Sequence, residues 1–228
     1  MLRSPRVFAS YEHFLGIADS VQWDERAIAL RADAKAWPQV ADARLTELVA
    51  GFCVGEAGVA SHLSVFASGA AAACFEAQLR DEDRHARFFA RYAAAVGLGD
   101  PRGLVSPAFR SLFEERLPEA VAGAPGEAVG LYHMVLEGVV FTAGQLALLD
   151  LVDDRLPGLR EGVELVLRDE RWHVGFGARC LADLDYDEEA ILAEGEAAAA
   201  LWAPEYAGRV MDGLRSRLRA VRRQAALL

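Results

Sequence analysis

The sequence predicts an all-α fold, a bundle of long helices. Apolar residues recur every three or four positions over segments of several helical turns, which is the period of one helix face. No alternating apolar–polar run bounded by turn residues indicates a strand. The 228 residues are 53% hydrophobic and contain no low-complexity linker, so we expect one domain over residues 1–228 with a sizeable core.

The predicted elements follow one another with little intervening chain. Residues 1–38 form an N-terminal arm that is rich in aromatic side chains. The core spans residues 41–184, and stretches with Gly and Pro such as "GLGDP" separate its helices. A C-terminal helix follows the core. In chain order, the predicted helices lie at about 41–69, 71–96, 105–121, 127–154, 156–184 and 186–225.

Charge and composition exclude several classes of partner. A net charge of −10 and an isoelectric point of about 5.0 argue against nucleic acid or an anionic membrane as a partner. Only "RSRLRAVRR" near the C-terminus is markedly basic, and its spacing fits the polar face of a helix. Neither a signal peptide nor a transmembrane helix is predicted. Cys53, Cys74 and Cys180 are odd in number and far apart, which indicates buried, reduced thiols in a cytoplasmic protein.

Two copies of Glu-x-x-His stand on different predicted helices. Glu82 precedes His85 in "QLRDEDRHARFF", and Glu170 precedes His173 in "RDERWH". Residues three apart share a helix face, and both faces continue as apolar stripes. One such pair arises readily by chance in an acidic sequence, so a single copy is weak evidence. The remaining charges of the first segment are predicted to form its solvated face: Arg80, Asp81, Asp83, Arg84 and Arg87.

Glu56 and Glu137 are each the lone acid in an otherwise apolar helical segment. Either could face solvent at a thin point of its stripe. Together with Glu82 and Glu170 they would place four carboxylates in one core, which is very costly without compensation. Two divalent cations would balance the four negative charges, and the two histidines complete the ligand pattern of dinuclear carboxylate bundles. Carboxylate and imidazole ligands suit Fe or Mn, so the sequence predicts a dimetal site within residues 41–184.

With these residues the sequence resembles the ribonucleotide reductase small-subunit-like branch of the ferritin-like superfamily, including its ligand-binding oxidase relatives. The resemblance covers about residues 23–184 and implies a ferritin-like four-helix core with extra helices. In "QWDERAIALRADAKAW", Trp23 and Asp33 match the N-terminal segment of the family. In "RDERWH", the resemblance implies that Asp169 supports the metal-bound His85 and links it to Trp23.

Departures from the reductase subunit bear on the implied activity. Phe89 stands where that subunit has its radical tyrosine, which excludes a tyrosyl radical of the standard kind. Relatives with Phe there and a mixed Mn/Fe centre also use Glu as first ligand, as at Glu56. "RLRAVRRQAALL" shows no acidic, aromatic tail of the kind that docks the large reductase subunit. The ligand-binding oxidases have a Val–Tyr crosslink near the metals. Tyr132 matches its Tyr position, but Gly58 stands at its Val position. The related N-oxygenases have a third histidine at the position that Val166 occupies here.

The resemblance therefore implies an O2-activating dinuclear oxidase or oxygenase. Its cofactor would be two metal ions, Fe/Fe in the first instance and Mn/Fe as the alternative, with O2 as cosubstrate. The expected substrate is a small, largely apolar organic molecule that is hydroxylated, N-oxygenated, desaturated or cleaved at a C–C bond. An electron-donor protein and a monomeric or homodimeric state are also expected. Two other functions remain open: a Mn/Fe radical-generating subunit of a ribonucleotide reductase, and a ferroxidase-like metal binder without catalysis.

Several further residues are candidates for a pocket beside the metals. Five glycines lie inside predicted helices, where each lowers helix stability by about 1 kcal/mol relative to alanine. Their presence indicates either tight helix packing or room for a substrate. His133, one turn before Glu137, is either a core histidine, a base near the ligands or an added ligand. Trp172 is predicted to point away from the metals, and Tyr92 to lie in the core. By resemblance and position, the candidate pocket residues are Phe89, Phe141, Tyr132, Gly58 and Gly138, and the other helix-interior glycines are Gly144, Gly175 and Gly177.

Overall fold

The computed structural model describes residues 8–63 and 69–226, and these ranges are built from helices without a strand. The all-α prediction is therefore confirmed. In chain order, the α-helices are α1 Tyr11–Ser20, α2 Arg31–Val40, α3 Ala43–Ala60, α4 Ala72–Val96, α5 Pro107–Ser111, α6 Leu117–Ala122, α7 Pro125–Val129, α8 Thr142–Leu151, α9 Pro157–Leu181, α10 Glu188–Ala199 and α11 Ala207–Ala225.

Four long helices form the central bundle. α3 packs along α4, and α9 packs along a continuous helix, Pro125–Leu151, that includes α7 and α8. The two pairs meet because α4 also contacts α9 and α3 contacts α8. The arm helices α1 and α2 lie against α4 and α9, while α10 and α11 cover the Pro125–Leu151 helix. Apolar faces from all four long helices thus meet in one core.

The helix Pro125–Leu151 widens into π-helix over Gly130–Phe141. Such wide turns are rare and are found frequently at functional sites. Thr142 Oγ1 donates to the Glu137 carbonyl at 2.9 Å and so satisfies one backbone acceptor of this segment. By length and composition the helix could cross a membrane, but 72% of its most apolar stretch is buried inside the bundle, as in a core helix.

Helix ends follow local sequence signals. α4 confirms the helix predicted at 71–96, and Gly97 ends it with a left-handed φ of +70°. α3 begins after Asp42, whose side chain accepts from the Leu45 N–H at 2.8 Å. α3 ends at Ala60, earlier than the predicted helix at 41–69, and residues 64–68 of that prediction lie outside the described residues.

The prediction of a single C-terminal helix at 186–225 is wrong. The chain forms α10 and α11, which are separated by a break that contains the 3₁₀ turn Pro204–Tyr206. Trp202 lies in this break and is buried, with its ring against the positions of Gly51 and Gly144. The break places the Trp202 indole between α3 and α8. Pro204 follows and lacks the N–H that a continuing helix would need.

Asp33 in the arm helps to position α9. Its carboxylate accepts from the backbone N–H groups of Gly158 and Leu159 at 3.0 and 2.9 Å, which are orphan donors in the first turn of α9. Tyr92 is buried and donates to the same carboxylate at 3.4 Å. Tyr92 is thus a core residue, as predicted, and the arm ties α4 to α9.

Candidate metal centre

All six predicted ligands converge in the middle of the bundle. Glu170 is 2% exposed and the other five are fully inaccessible to solvent. Four helical segments supply them in the order that the sequence predicts. The residues are Glu56 from α3, Glu82 and His85 from α4, Glu137 from the π-helical segment, and Glu170 and His173 from α9.

The first half of the cluster surrounds His85. Its Nδ1 lies 3.6 Å from an oxygen of each of three carboxylates: Glu56 Oε2, Glu82 Oε2 and Glu170 Oε1. Donor atoms about 2.1 Å from a common ion lie about 3.0 to 3.4 Å apart in octahedral or tetrahedral geometry. The spacing around His85 is close to that expected for one ion.

The second half surrounds His173 in the same way. Its Nδ1 lies 3.1 Å from Glu82 Oε1, 3.7 Å from Glu137 Oε1 and 3.5 Å from Glu170 Oε2. Glu82 and Glu170 therefore present one oxygen to each half, while Glu56 and Glu137 each face one half. Two ions at this site would share Glu82 and Glu170, and Glu56 and Glu137 would each serve one ion.

Most donor atoms of the cluster have no hydrogen-bond partner. Both oxygens of Glu56 and Glu170 are unpaired and buried, as are one oxygen of Glu82, one of Glu137 and the Nδ1 atoms of both histidines. Buried polar atoms without partners are rare and costly in folded proteins. Two divalent cations would satisfy these atoms and neutralise four carboxylates, so the donor set fits a dinuclear metal group.

Electrostatics within the cluster point the same way. Burial raises the pKa of Glu56 to about 8, and burial together with neighbouring carboxylates raises the pKa of Glu137 and Glu170. Burial also acts to raise the pKa of Glu82, but the adjacent His173 outweighs it and holds this pKa well below its usual range. Without cations, the cluster therefore retains protons in their place.

Two aspartates orient the imidazoles from behind. Asp169 Oδ2 lies 3.3 Å from His85 Nε2 and accepts from Trp23 Nε1 at 2.6 Å. Asp81 Oδ2 lies 3.3 Å from His173 Nε2 and accepts from Trp172 Nε1 at 3.1 Å. Each Asp-Glu-x-x-His segment thus supplies the aspartate for the histidine of the other segment.

Arg84 joins these two aspartates. Its NH2 group donates to Asp81 Oδ1 at 2.6 Å and to Asp169 Oδ2 at 2.9 Å, and the residue is only 4% exposed. The guanidinium also lies 5.0 Å from the ring centroid of Trp23. One buried cation therefore offsets the charges of both supporting carboxylates, in the fork geometry that arginine provides.

Gln78 hydrogen-bonds carboxylates of the half of the cluster that surrounds His173. Its side-chain N–H2 donates to Glu137 Oε1 at 2.5 Å and to Glu82 Oε1 at 3.2 Å, and its Oε1 lies 3.1 Å from His133 Nε2. Burial lowers the pKa of His133 to about 3, so this ring is neutral and donates through Nε2 to Gln78. His133 is therefore buried and is linked to Glu82 and Glu137 through Gln78.

Three predictions for the Glu82 and Glu170 segments are wrong. Asp81 and Arg84 are buried rather than part of a solvated face, and Trp172 turns its indole N–H toward the cluster through Asp81. The signal was present in the sequence, since "DEDRH" and "DERWH" share Asp-Glu-x-x-His, and the role inferred for Asp169 extends by symmetry to Asp81. Gln78, one turn before Glu82 on the same face, was the other residue that sequence reasoning missed.

The predicted pocket residues occupy different surroundings. The Phe89 ring stacks on Phe52 with centroids 4.8 Å apart, and Phe141 stacks on Phe113 at 5.8 Å. Tyr132 is fully buried, and burial together with the nearby carboxylates raises its pKa well above its usual value. Phe89, Phe141 and Tyr132 thus belong to the packed core around the acids.

Aromatic side chains occupy the space beside most of the candidate glycines. A Cβ at Gly58 would lie 2.7 Å from Phe113, one at Gly144 would lie 2.2 Å from Trp202, and one at Gly177 would lie 2.1 Å from His133. Tight packing, the first of the two alternatives, explains these positions. At Gly138 a Cβ would lie 3.0 Å from the Arg217 guanidinium, which donates to the Gly138 carbonyl at 3.1 Å.

One cavity lies beside the cluster. It encloses about 500 Å³ between α8, α9 and α11, and Glu170 and Gly138 are part of its lining. The other walls include Leu146, Leu167 and Val174. Arginines also line it: Arg171, Arg209 and Arg217.

Comparisons with known proteins agree with this architecture. The sequence matches no protein-family profile. Among solved structures, a tyrosine-to-phenylalanine variant of R2-like ligand-binding oxidase with aerobically reconstituted Mn/Fe cofactor superposes with a TM-score of 0.76 at 19% identity, over 93% of each chain. The fold is ferritin-like.

Further solved structures support the same assignment of fold. A valine-to-alanine variant of R2-like ligand-binding oxidase with anaerobically reconstituted Mn/Fe cofactor gives a TM-score of 0.75 at 19% identity, over 92% of each chain. A glutamate-to-aspartate variant with aerobically reconstituted Mn/Fe cofactor gives 0.67 at 22% identity, over 95% of this chain and 80% of that one. The resemblance inferred from the sequence is thus confirmed at the level of the fold.

Proposed function

We propose that this protein is an O2-activating dinuclear metal oxidase or oxygenase that acts on a small, largely apolar organic substrate. The observation that carries the proposal is the set of unpaired, buried donor atoms on six residues in two mirrored groups. The solved structures of similar fold are named oxidases with Mn/Fe cofactors, which favours the same class of centre here. We propose Fe/Fe or Mn/Fe as its metals.

The protein residues would hold and orient the metal pair. Glu56, Glu82, His85 and Glu170 would bind one ion, and Glu137 and His173 would complete the second site with the bridging oxygens of Glu82 and Glu170. Two such ions would supply the electrons and open coordination positions that O2 reduction requires.

The histidine tautomers follow from the aspartates. With metal bound, the Nε2–H of His85 would donate a hydrogen bond to Asp169 and that of His173 to Asp81, which would leave each Nδ1 lone pair free to bind an ion. Phe52, Phe89 and Phe141 are fully buried and keep water away from the acids. Substrate would approach through the cavity between α8, α9 and α11, whose lining includes Glu170.

Partners and compartment are part of the proposal. The protein would work as a monomer or homodimer in the cytoplasm, with an electron-donor protein and without nucleic acid or membrane. Within residues 8–63 and 69–226, the one helix that is long and apolar enough to span a membrane is mostly buried in the bundle, which supports a protein that functions in water.

Anaerobic metal loading followed by O2 tests the function. Protein loaded with Fe(II), or with Mn(II) and Fe(II), should bind two ions per chain and consume O2 together with formation of an oxidised organic product, detected by mass spectrometry over a substrate panel. Glu56→Ala should lose one ion, whereas Glu76→Ala, an exposed acid on the same α4 helix as Glu82, should load normally. O2 uptake that yields only oxidised metal would instead identify a ferroxidase-like binder, and binding of a single ion would refute the dinuclear centre.

A further inference from the structure

α11 carries a concentration of positive charge on an acidic protein. Its 19 residues contain six arginines and one aspartate, which leaves 18 basic and 33 acidic residues in the rest of the chain. Such segregation of charge creates a local positive potential that steers acidic partners to one face of a molecule. The net charge of −10 conceals this face.

Part of this positive charge is available to a partner. Arg215 pairs with Glu196, and Arg222 with Glu188. Arg209, Arg219 and Arg223 are exposed and form no ion pair with any other described residue. Helical periodicity places these three arginines on one arc of α11, opposite its buried face of Val210, Leu214, Leu218 and Val221.

Arg209, at one end of this arc, borders the cavity that lies beside the acid cluster. Arg209, Arg217 and Ala220 of α11 line the cavity that includes Glu170. Glu170 lines this cavity although both of its carboxylate oxygens are buried, and its neighbour Arg171 is a further exposed arginine on the cavity wall. A protein seated on α11 would therefore lie beside the cavity that Glu170 lines.

We infer that α11, with Arg209, Arg219 and Arg223 at its centre, is the docking surface for an acidic one-electron carrier protein. This inference rests on the proposed oxidase function, because incorporation of one oxygen atom, RH + O2 + 2e⁻ + 2H⁺ → ROH + H2O, requires two electrons from outside the enzyme. The carrier would be oxidised in two one-electron steps, and its electrons would be supplied to the metal pair. Charge complementarity selects an acidic carrier, since these three arginines are exposed and form no ion pair with a described residue.

Stopped-flow reduction of the oxidised, metal-loaded full chain tests the docking surface. The probe is a reduced plant-type [2Fe–2S] ferredoxin, a strongly acidic carrier, and dithionite serves as a small reductant that needs no docking. The variant Arg219→Glu/Arg223→Glu avoids the residues that line the cavity. The matched control, Arg31→Glu/Lys35→Glu, makes the same change of net charge on α2, where both residues are exposed.

We expect the second-order rate constant with ferredoxin to fall roughly ten-fold or more in the α11 variant at low ionic strength, and little in the α2 variant. Added salt should remove the difference, since it screens the charges. Equal losses in both variants, or no loss in the α11 variant, would overturn the docking surface. So would binding of phosphatidylglycerol vesicles that α11 charge reversal abolishes while the ferredoxin rate stays unchanged.

Dithionite separates this inference from the proposed function. If dithionite-reduced protein consumes O2 and oxidises a substrate in both variants, the oxidase function stands whatever the ferredoxin result. If dithionite-reduced parent protein forms no product, the proposed function fails on its own, independently of α11.

Discussion

Asp81 on α4 supports His173 on α9 through a contact of 3.3 Å between Oδ2 and Nε2. The aspartate fixes the ring so that Nδ1 faces the carboxylates. Asp81→Asn weakens the acceptor, so we expect the affinity for the second metal ion to fall about 10- to 100-fold. Metal content after dialysis against a chelator series measures this.

The control for Asp81 is its exposed neighbour. Asp83 lies on the solvent side of α4, so Asp83→Asn should bind both ions like the parent. An Asp81→Asn protein that keeps both ions with parental affinity would contradict the role of Asp81.

Arg84 should matter for stability as well as for the site. Arg84→Met would leave the buried carboxylates of Asp81 and Asp169 without their shared cation, and removal of one partner from a buried ion pair costs about 3 to 5 kcal/mol. Urea unfolding of the metal-free protein measures the loss. Arg80→Met, at an exposed position one turn earlier, should change the free energy of unfolding by less than about 0.5 kcal/mol.

The metal-free protein should lose stability as pH rises. Glu56 has a folded-state pKa of about 8 against an ordinary value of 4.5, so it binds more protons when folded, and stability falls as pH rises through that window. The raised pKa values of His85 and His173, due to the surrounding carboxylates, act with the same sign above pH 6.5. The pKa of Asp169 is lowered to about 2, so its ionised form stabilises the fold equally at every pH in this range. That stabilisation is lost only in acid.

Thermal unfolding between about pH 5 and pH 8 checks this sign. The melting temperature of the metal-free protein should decrease over the range, and Glu56→Gln should reduce the slope. Metal loading should remove most of the decrease, since cations replace the protons. A metal-free protein whose stability rises with pH would contradict the charge balance of the cluster.

Gly177 should tolerate no side chain. An added Cβ would lie 2.1 Å from His133, so Gly177→Ala should destabilise the protein by about 2 kcal/mol despite the better helix propensity of alanine. Denaturant unfolding gives the value. Gly16→Ala in α1, where nothing lies within 4 Å, should be neutral or stabilising by up to about 1 kcal/mol. Equal effects at both positions would argue against tight packing at Gly177.

The sequence by itself determined the helical class, the position of α4 and the identity of the six clustered donors. Helical period places Glu82 with His85 and Glu170 with His173, and lone acids in apolar segments mark Glu56 and Glu137, because burial of an acid requires compensation. These signals lie within single helices, so they can be recognised in the sequence without knowledge of the fold. The Asp169–His85–Trp23 contact came from resemblance to a family, and its geometry is present.

Only the tertiary structure decided which residues surround that cluster. Asp81 and Arg84 have the composition of a solvated face, and they are buried because α9 packs directly over them. The break at Trp202 also depends on neighbouring helices, because its indole lies against Gly51 of α3 and Gly144 of α8. Local sequence specifies which face of a helix is apolar, but the partner that covers a polar residue is set by packing between helices far apart in the chain.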